Sequence, residues 1–86
     1  MKLLSRAREQ CEHVPEKVAD PRANTCEDCG SRFNLRVCTE CGYVGCCESQ
    51  LAHDREHATE AGHPVIRSLP LSKQSFTWCY RCRSYV

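Results

Sequence analysis

The stretch CTECGYVGCCESQLAHDREHATEAGH, residues 38–63, decides the fold of this chain. It begins with Cys38 and Cys41, a Cys-x-x-Cys pair in which two thiolates can hold one tetrahedral Zn²⁺ ion. It continues to His53 and His57, which are four residues apart and therefore lie on one face of a predicted helix. The stretch thus predicts a zinc knuckle followed by a helix that carries further metal ligands.

Metal ligands at similar spacings continue on both sides of this stretch. The full set is Cys11, His13, Cys26, Cys29, Cys38, Cys41, Cys46, His53, His57, His63, Cys79 and Cys82. Four such ligands close one structural zinc site, so twelve ligands predict three zinc ions with no open coordination position. A catalytic zinc keeps an open position, and Asp54 stands where the His-Glu-x-x-His protease pattern needs Glu. We therefore expect no enzyme activity at these sites.

A chain of 86 residues forms one small domain with a modest apolar core. Structural zinc contributes about 10–16 kcal/mol of apparent binding free energy per site, which exceeds what such a core supplies. The nine cysteines are odd in number, the histidines accompany them, and the apolar start at residues 1–4 is too short for a secretory leader. We expect zinc-bound thiolates in the cytoplasm rather than disulfides, and a zinc-free chain that is largely unfolded.

The pattern between the ligands predicts an α+β fold. Residues 1–10 are predicted to be a tail or a short helix, and residues 11–86 to be the zinc domain. Alternating apolar and polar side chains and short apolar runs predict strands at 33–37, 43–44, 65–66 and 76–80, and residues 85–86 close the chain. We expect a small, twisted antiparallel sheet with one main helix and up to three interleaved zinc sites.

The predicted helix covers residues 49–61. Ser49 is a favourable N-cap, and Gly62 is placed to end the helix in a left-handed conformation. The side chains predicted to form its apolar face are Leu51, Ala58 and Ala61.

The order of the ligands resembles the UBP-type zinc finger, the ubiquitin-binding zinc finger of ubiquitin-specific proteases and one histone deacetylase. The resemblance covers residues 11–86, and residues 45–48 and 63–68 are similar to small stand-alone prokaryotic members. Spacing alone leaves open whether the two helix histidines share one zinc ion, whereas the resemblance implies three interleaved sites. These are site 1 (Cys11, His13, Cys79, Cys82), site 2 (Cys26, Cys29, Cys46, His53) and site 3 (Cys38, Cys41, His57, His63).

One cysteine, Cys47, is left over from these three sites. We interpret it as a small thiol that packs near a metal site without binding the metal. The other interpretations are a redox-sensitive thiol or an alternative ligand to Cys46.

The resemblance also implies a pocket that takes the free Gly-Gly terminus of ubiquitin. Its aromatic walls are matched here by Trp78, Tyr80 and Tyr85, but the family's carboxylate-pairing Arg is replaced by Glu48 and a wall Trp by Arg36. Losing a charge-assisted hydrogen bond costs about 1.5–3 kcal/mol, and Glu adds repulsion. We therefore expect no tight binding of the ubiquitin terminus.

Two alternatives for these pocket residues stay open. A genuine Gly-Gly binder would use Arg36 as a substitute cation, and the three aromatic side chains could instead pack in the core. A pocket that combines Glu48 with aromatic walls would suit a cation, such as an N-terminal amine or a Lys or Arg side chain.

The formal net charge is +1, and eight thiolates with three zinc ions bring it to about −1. This charge favours neither nucleic acid nor an anionic membrane, and no stretch is long enough to span a bilayer. The pair Cys79 and Cys82 lies in a Trp-Cys-x-x-Cys motif like that of thioredoxins, a remote redox alternative without the expected βαβ context. We predict a non-enzymatic zinc module that binds an unidentified protein or peptide.

Overall fold

The computed structural model of the chain describes residues 11–47 and 50–86. The predicted tail or short helix at 1–10 lies outside the described residues, as do Glu48 and Ser49. The described elements, in chain order, are β1 (Leu35–Cys38), β2 (Val44–Cys46), α1 (His53–Ala61), β3 (Val65–Ser68), β4 (Thr77–Cys79) and β5 (Ser84–Tyr85). The α+β fold class is confirmed.

The five strands form one antiparallel sheet in the order β2-β1-β3-β4-β5. Its register places Ile66 opposite Trp78, and Trp78 opposite Tyr85. Residues directly opposite each other in a sheet point to the same face, and side chains alternate along each strand. Ile66 is paired with Cys38, two residues after Arg36, so Arg36 shares this face as well. We call the face that carries Arg36, Ile66, Trp78 and Tyr85 the pocket face.

Helix α1 lies against β2 and β1, at one end of the sheet. It can approach closely because Gly45, opposite Arg36 on the pocket face, has no side chain. A Cβ atom at Gly45 would lie 2.7 Å from the backbone nitrogen of Asp54, in the first turn of the helix. The helix therefore covers part of the pocket face, and no helix among the described residues lies over the aromatic end at β3, β4 and β5.

The predicted start of the helix at Ser49 is wrong. The helix begins at His53, after Ala52 in a left-handed conformation with φ 56° and no side-chain cap. The backbone N–H groups of Gln50 and Ala52 both donate to the carbonyl of Cys47, and this turn holds residues 50–52 outside the helix. The predicted end is confirmed, because Gly62 has φ 72° and its N–H donates to Ala58.

The predicted apolar face of the helix is wrong in two of its three residues. Leu51 precedes the helix and is 66% exposed, and Ala61 is exposed. Only Ala58 is buried, beside the buried polar side chain of Asp54. A helix whose histidines lie in the metal clusters needs little apolar surface to stay on the sheet.

The four predicted strands are present with shifted bounds, and β5 (Ser84–Tyr85) is a fifth strand that the sequence pattern did not predict. Asn34 has a left-handed backbone with φ 51°, so β1 starts at Leu35, and Phe33 is 73% exposed. The core consists of two clusters that are rich in cysteine. These clusters are Cys26, Leu35, Val37, Val44 and Cys46, and Cys11, Val65 and Cys79. The apolar core is therefore built around the predicted metal ligands.

Candidate metal centres and aromatic pocket

The described residues form three clusters of four Cys and His side chains. Within each cluster, the ligand atoms all lie within 4.8 Å of one another. The clusters have the members that the resemblance implies. They are site 1 (Cys11, His13, Cys79, Cys82), site 2 (Cys26, Cys29, Cys46, His53) and site 3 (Cys38, Cys41, His57, His63). His53 and His57 lie in different clusters, although they share one helix.

Site 2 joins an early loop to the start of the helix. Cys26 and Cys29 belong to a knuckle that is closed by a hydrogen bond of 2.8 Å from the Gly30 N–H to the Cys26 carbonyl. Gly30 has φ 77°, the left-handed conformation that the sequence predicts after the second ligand. The last residue of β2, Cys46, and the first residue of α1, His53, complete the cluster.

Site 3 lies between β1 and the helix. The Gly42 N–H donates to the Cys38 carbonyl over 2.9 Å, and Gly42 has φ 85°, which repeats the geometry of the first knuckle. His57 comes from the middle of α1, and its ring stacks on the buried ring of Tyr43 at 4.2 Å. His63 follows the helix end, where its N–H donates to the Ala58 carbonyl.

Site 1 ties the two ends of the described chain together. The Nδ1 atom of His13 lies 3.4 Å from the sulfur of Cys79 and 3.5 Å from that of Cys82, across more than sixty residues. The third knuckle has Arg83 where the other two have Gly, with φ 55° and a hydrogen bond from its N–H to the Cys79 carbonyl. The sequence gives no signal of this strained position.

The separations of the ligand atoms fit tetrahedral zinc. Zinc–sulfur and zinc–nitrogen bonds of about 2.3 and 2.05 Å predict tetrahedral edges of about 3.8 Å between sulfurs and 3.6 Å between sulfur and nitrogen. Seven of the sulfur–nitrogen separations are 3.4–3.7 Å. Two of the sulfur–sulfur separations are 3.9 Å for Cys29–Cys46 and 3.7 Å for Cys11–Cys82. All three clusters could therefore hold zinc.

The crowding of thiols favours a bound cation. Burial opposes ionisation of Cys26, but backbone N–H groups of Cys29 and Asp28 donate to its sulfur and lower its pKa to about 7. Burial raises the pKa of Cys38 to about 11, and the hydrogen bond with Cys11 together with burial does the same for Cys82. Zinc binds thiolates, so a zinc ion would supply the charge that these sulfurs need at neutral pH.

A pocket of about 360 Å³ opens on the uncovered part of the pocket face. The residues that line it are Arg36, Cys47, Asp54, Ile66, Phe76, Trp78, Tyr80 and Tyr85. The sequence-predicted residues Arg36, Trp78, Tyr80 and Tyr85 thus lie together, and Glu48 lies outside the described residues. Tyr85 is 64% exposed, while Trp78 and Tyr80 are half-buried, so these rings form walls of a cavity rather than a closed core.

The rings meet at steep angles. Trp78 lies edge-on to Tyr85 at 4.9 Å and 73°, and to Tyr80 at 6.3 Å and 80°. Phe76 in turn meets Tyr85 at 5.4 Å and 87°. Rings arranged at near right angles turn both faces and edges toward the space between them.

The pocket contains one charged group that the sequence did not single out. Asp54 is 2% exposed, and its Oδ2 atom accepts a hydrogen bond of 3.0 Å from the hydroxyl of Tyr80. Its Oδ1 atom accepts from the Arg55 N–H at 2.7 Å. The sequence shows Asp54 only as a polar residue between two helix ligands, and its place in the pocket depends on how α1 packs over Gly45.

The basic residue of the pocket, Arg36, is already engaged with neighbours. Its guanidinium carbon lies 4.9 Å from the centre of the Phe76 ring, and one of its nitrogens donates to the Leu35 carbonyl at 3.0 Å.

Among the described residues, no helix is both long enough and apolar enough to cross a bilayer.

The fold and these clusters define a small zinc-finger domain. Residues 26–86 match the family described as Zn-finger in ubiquitin-hydrolases and other protein, the UBP-type zinc finger. The match spans most of the chain, and the chain belongs to this family.

Three proteins are similar to this chain, and two of them are much longer than it is. BRCA1-associated protein of Homo sapiens is 32% identical over 73 residues, which cover 85% of this chain and 11% of that protein. Ubiquitin carboxyl-terminal hydrolase 14 of Schizosaccharomyces pombe is 29% identical over 87 residues, which cover 84% of this chain and 11% of that protein. The solution NMR structure of protein RPA1320 from Rhodopseudomonas palustris superposes with a TM-score of 0.74 at 34% identity, covering 87% of this chain and 78% of that one. This chain thus spans about a tenth of the length of the curated relatives that it matches.

Proposed function

We propose that this protein is a non-enzymatic zinc module that binds a segment of a partner protein in its aromatic pocket. We further propose that its twelve Cys and His ligands hold three zinc ions, and that it does not hold the free Gly-Gly carboxylate of ubiquitin tightly. Each cluster takes one ligand from a strand of the sheet that carries the pocket, namely Cys38, Cys46 and Cys79, so the zinc sites would hold the pocket walls in place. Zinc thiolates persist in a reducing compartment, which supports a location in the cytoplasm.

The buried carboxylate of Asp54 is the main support for the proposal that the protein does not bind the Gly-Gly carboxylate of ubiquitin tightly. A ligand carboxylate placed beside Asp54 would meet a like charge, and like charges in a partly dry pocket repel strongly. The hydroxyl of Tyr80, a residue expected to form a wall of the Gly-Gly pocket, donates to Asp54. Both features disfavour a carboxylate at this wall of the pocket.

A non-enzymatic role is supported by the ligand sets. Each cluster offers four ligand atoms, which leaves no position for a reacting water on a tetrahedral zinc ion. Cys79 and Cys82 lie in a cluster with Cys11 and His13, an arrangement typical of a zinc site rather than of a redox dithiol.

The second candidate function is a genuine binder of the ubiquitin terminus. One observation favours it, since Arg36 lines the pocket and carries the charge that a terminal carboxylate would need. The contacts of Arg36 with Phe76 and the Leu35 carbonyl would have to be shared with the ligand.

Calorimetry separates the two candidates. The zinc-loaded protein is titrated with ubiquitin that has a free Gly-Gly terminus and, as the control, with ubiquitin that lacks those two residues. We expect no saturable heat in the micromolar range with either form. Micromolar binding that needs the Gly-Gly terminus and is abolished by Arg36→Gln would establish the second candidate instead.

A further inference from the structure

We infer that the aromatic pocket recognises a lysine side chain of a partner protein, with Asp54 as the counter-charge of its ammonium group. The inference rests on the proposed function, because it names the chemistry of the segment that the pocket would bind. The aromatic rings of Trp78, Tyr80 and Tyr85 and the carboxylate of Asp54 line one cavity.

The aromatic walls suit a cation. Ring faces carry negative electrostatic potential and attract ammonium or guanidinium groups that lie within about 6 Å of the ring centre. The near-perpendicular packing of Trp78 against Tyr80 and Tyr85 brings several rings around one space. The protein already uses this property once, since the guanidinium carbon of Arg36 lies 4.9 Å from the centre of Phe76.

The carboxyl group of Asp54 adds an acidic group to this wall. Asp54 is held by the N–H of Arg55 and the hydroxyl of Tyr80, so its orientation in the pocket is set before any ligand arrives. A preorganised carboxylate forms a charge-assisted hydrogen bond with an ammonium group at little ordering cost. The same carboxylate repels a terminal carboxylate, so it also selects between ligands.

A lysine fits better than an arginine or a chain terminus. Both oxygens of Asp54 already accept hydrogen bonds, so an ammonium group, with its compact charge and rotating donors, suits it better than a guanidinium fork, which binds both oxygens side by side. Ile66, 3% exposed, and Trp78 are paired across β3 and β4 and offer an apolar floor for the long methylene stem of lysine. An N-terminal amine has no such stem.

The experiment uses the fluorescence of Trp78, which is the single tryptophan of the chain and lies in the pocket. The zinc-loaded protein is titrated into the millimolar range with four short peptides of matched length. They are acetyl-Gly-Lys-Gly-amide, the same peptide with norleucine for lysine, Gly-Gly-Gly-amide with a free amine, and acetyl-Gly-Gly-Gly with a free carboxylate. Amide NMR shifts of the same samples locate the binding site.

We expect the lysine peptide alone to saturate, with shifts confined to the pocket face. Asp54→Asn should weaken its binding by about tenfold or more, since a charge-assisted hydrogen bond is lost. Tyr85→Ala should weaken it by about two- to fivefold through loss of one ring wall. Tyr85 is exposed, so this second variant keeps the test decisive if Asp54→Asn does not fold. The matched control is Phe33→Ala, an exposed aromatic residue that does not line this pocket, and it should leave binding unchanged.

The outcomes separate this inference from the proposed function. Equal binding of the norleucine peptide, or better binding of the carboxylate or free-amine peptide, overturns the lysine assignment and leaves peptide binding in place. If none of the four peptides shifts the amide signals, both the inference and the proposed binding site are wrong. Lysine binding that survives Asp54→Asn and Tyr85→Ala unchanged contradicts the assigned geometry.

Discussion

The replacement Gly45→Ala tests how closely α1 packs over the sheet. The added Cβ would lie 2.7 Å from the Asp54 nitrogen, 2.8 Å from Cε2 of Tyr43 and 3.0 Å from the Asp54 Cα. Ordinary contact begins at 3.4 Å, so the helix start must move by several tenths of an ångström. Two of the three obstructing atoms belong to the backbone, which has no rotamer to adopt.

The displacement reaches site 2, because the neighbouring residue His53 is one of its ligands. Zinc sites tolerate deviations of about 0.2 Å in ligand distance, which is less than the required shift. We expect the free energy of unfolding to fall by about 1–3 kcal/mol, as in overpacked cores. The zinc affinity of site 2 should fall with it, while sites 1 and 3 keep their metal.

The assay combines thermal unfolding with release of zinc to a chromophoric chelator. The matched control is Gly62→Ala at the other end of the same helix, where a Cβ meets nothing within 4 Å and only the positive φ of 72° is strained. That strain costs about 1 kcal/mol and should leave the zinc of site 2 in place. If Gly45→Ala keeps its site 2 zinc as firmly as Gly62→Ala does, the argument for close packing is refuted.

Three further predictions follow from the same structure. Removal of zinc by a strong chelator should abolish the circular-dichroism spectrum of the folded state, because the core is built around the ligands; a cooperative unfolding transition without metal would disprove this. Glu27→Gln should lower the free energy of unfolding at pH 7 by about 1 kcal/mol, since Glu27 accepts from Arg22 at 2.9 Å and from the Val44 N–H at 3.0 Å. The hydrogen bond from Arg22 holds the pKa of Glu27 below its usual value, so this stabilisation is present above about pH 4.3 and is lost as pH falls through the lowered pKa; urea titrations of both proteins check it. Thr39→Val should cost about 1 kcal/mol in the same titrations, because the fully buried Thr39 hydroxyl donates to the Val65 carbonyl over 2.9 Å, and an unchanged midpoint would count against that bond.

The sequence predicts the knuckles well because their geometry is local. Two cysteines three residues apart and a following glycine define the turn, and both Gly30 and Gly42 have the positive φ that this turn needs. Arg83 has the same conformation without being glycine, so composition alone could not identify it. Which knuckle joins which histidine is a tertiary property, and spacing leaves it open for His53 and His57.

The helix start could not be predicted from capping preference. Ser49 is the better N-cap by composition, but the carbonyl of Cys47 takes the N–H groups of Gln50 and Ala52 into a separate turn. The helix therefore begins at His53, one of the side chains that form the site 2 cluster.

The content of the pocket could be predicted only in part. Phe76, Trp78 and Tyr80 are spaced two residues apart in the predicted strand 76–80, so a shared face follows from the period of two. Asp54 is placed in the pocket by the approach of α1 to Gly45, a contact between distant parts of the fold. Phe33 was predicted to lie in a strand and Leu51 on the apolar face of the helix. Both side chains are exposed, because the cysteine-rich core leaves little space for further apolar side chains.

The proposed structure of this domain depends most directly on three zinc ions, one for each cluster of four ligands. Native mass spectrometry of the folded protein, prepared with zinc and without chelator, measures this number in one step. We predict the mass of the chain with three bound zinc ions, and one ion fewer in a Cys82→Ser variant, in which site 1 loses a ligand. A folded protein that carries fewer than three zinc ions, or a Cys82→Ser variant that keeps all three, would contradict the account.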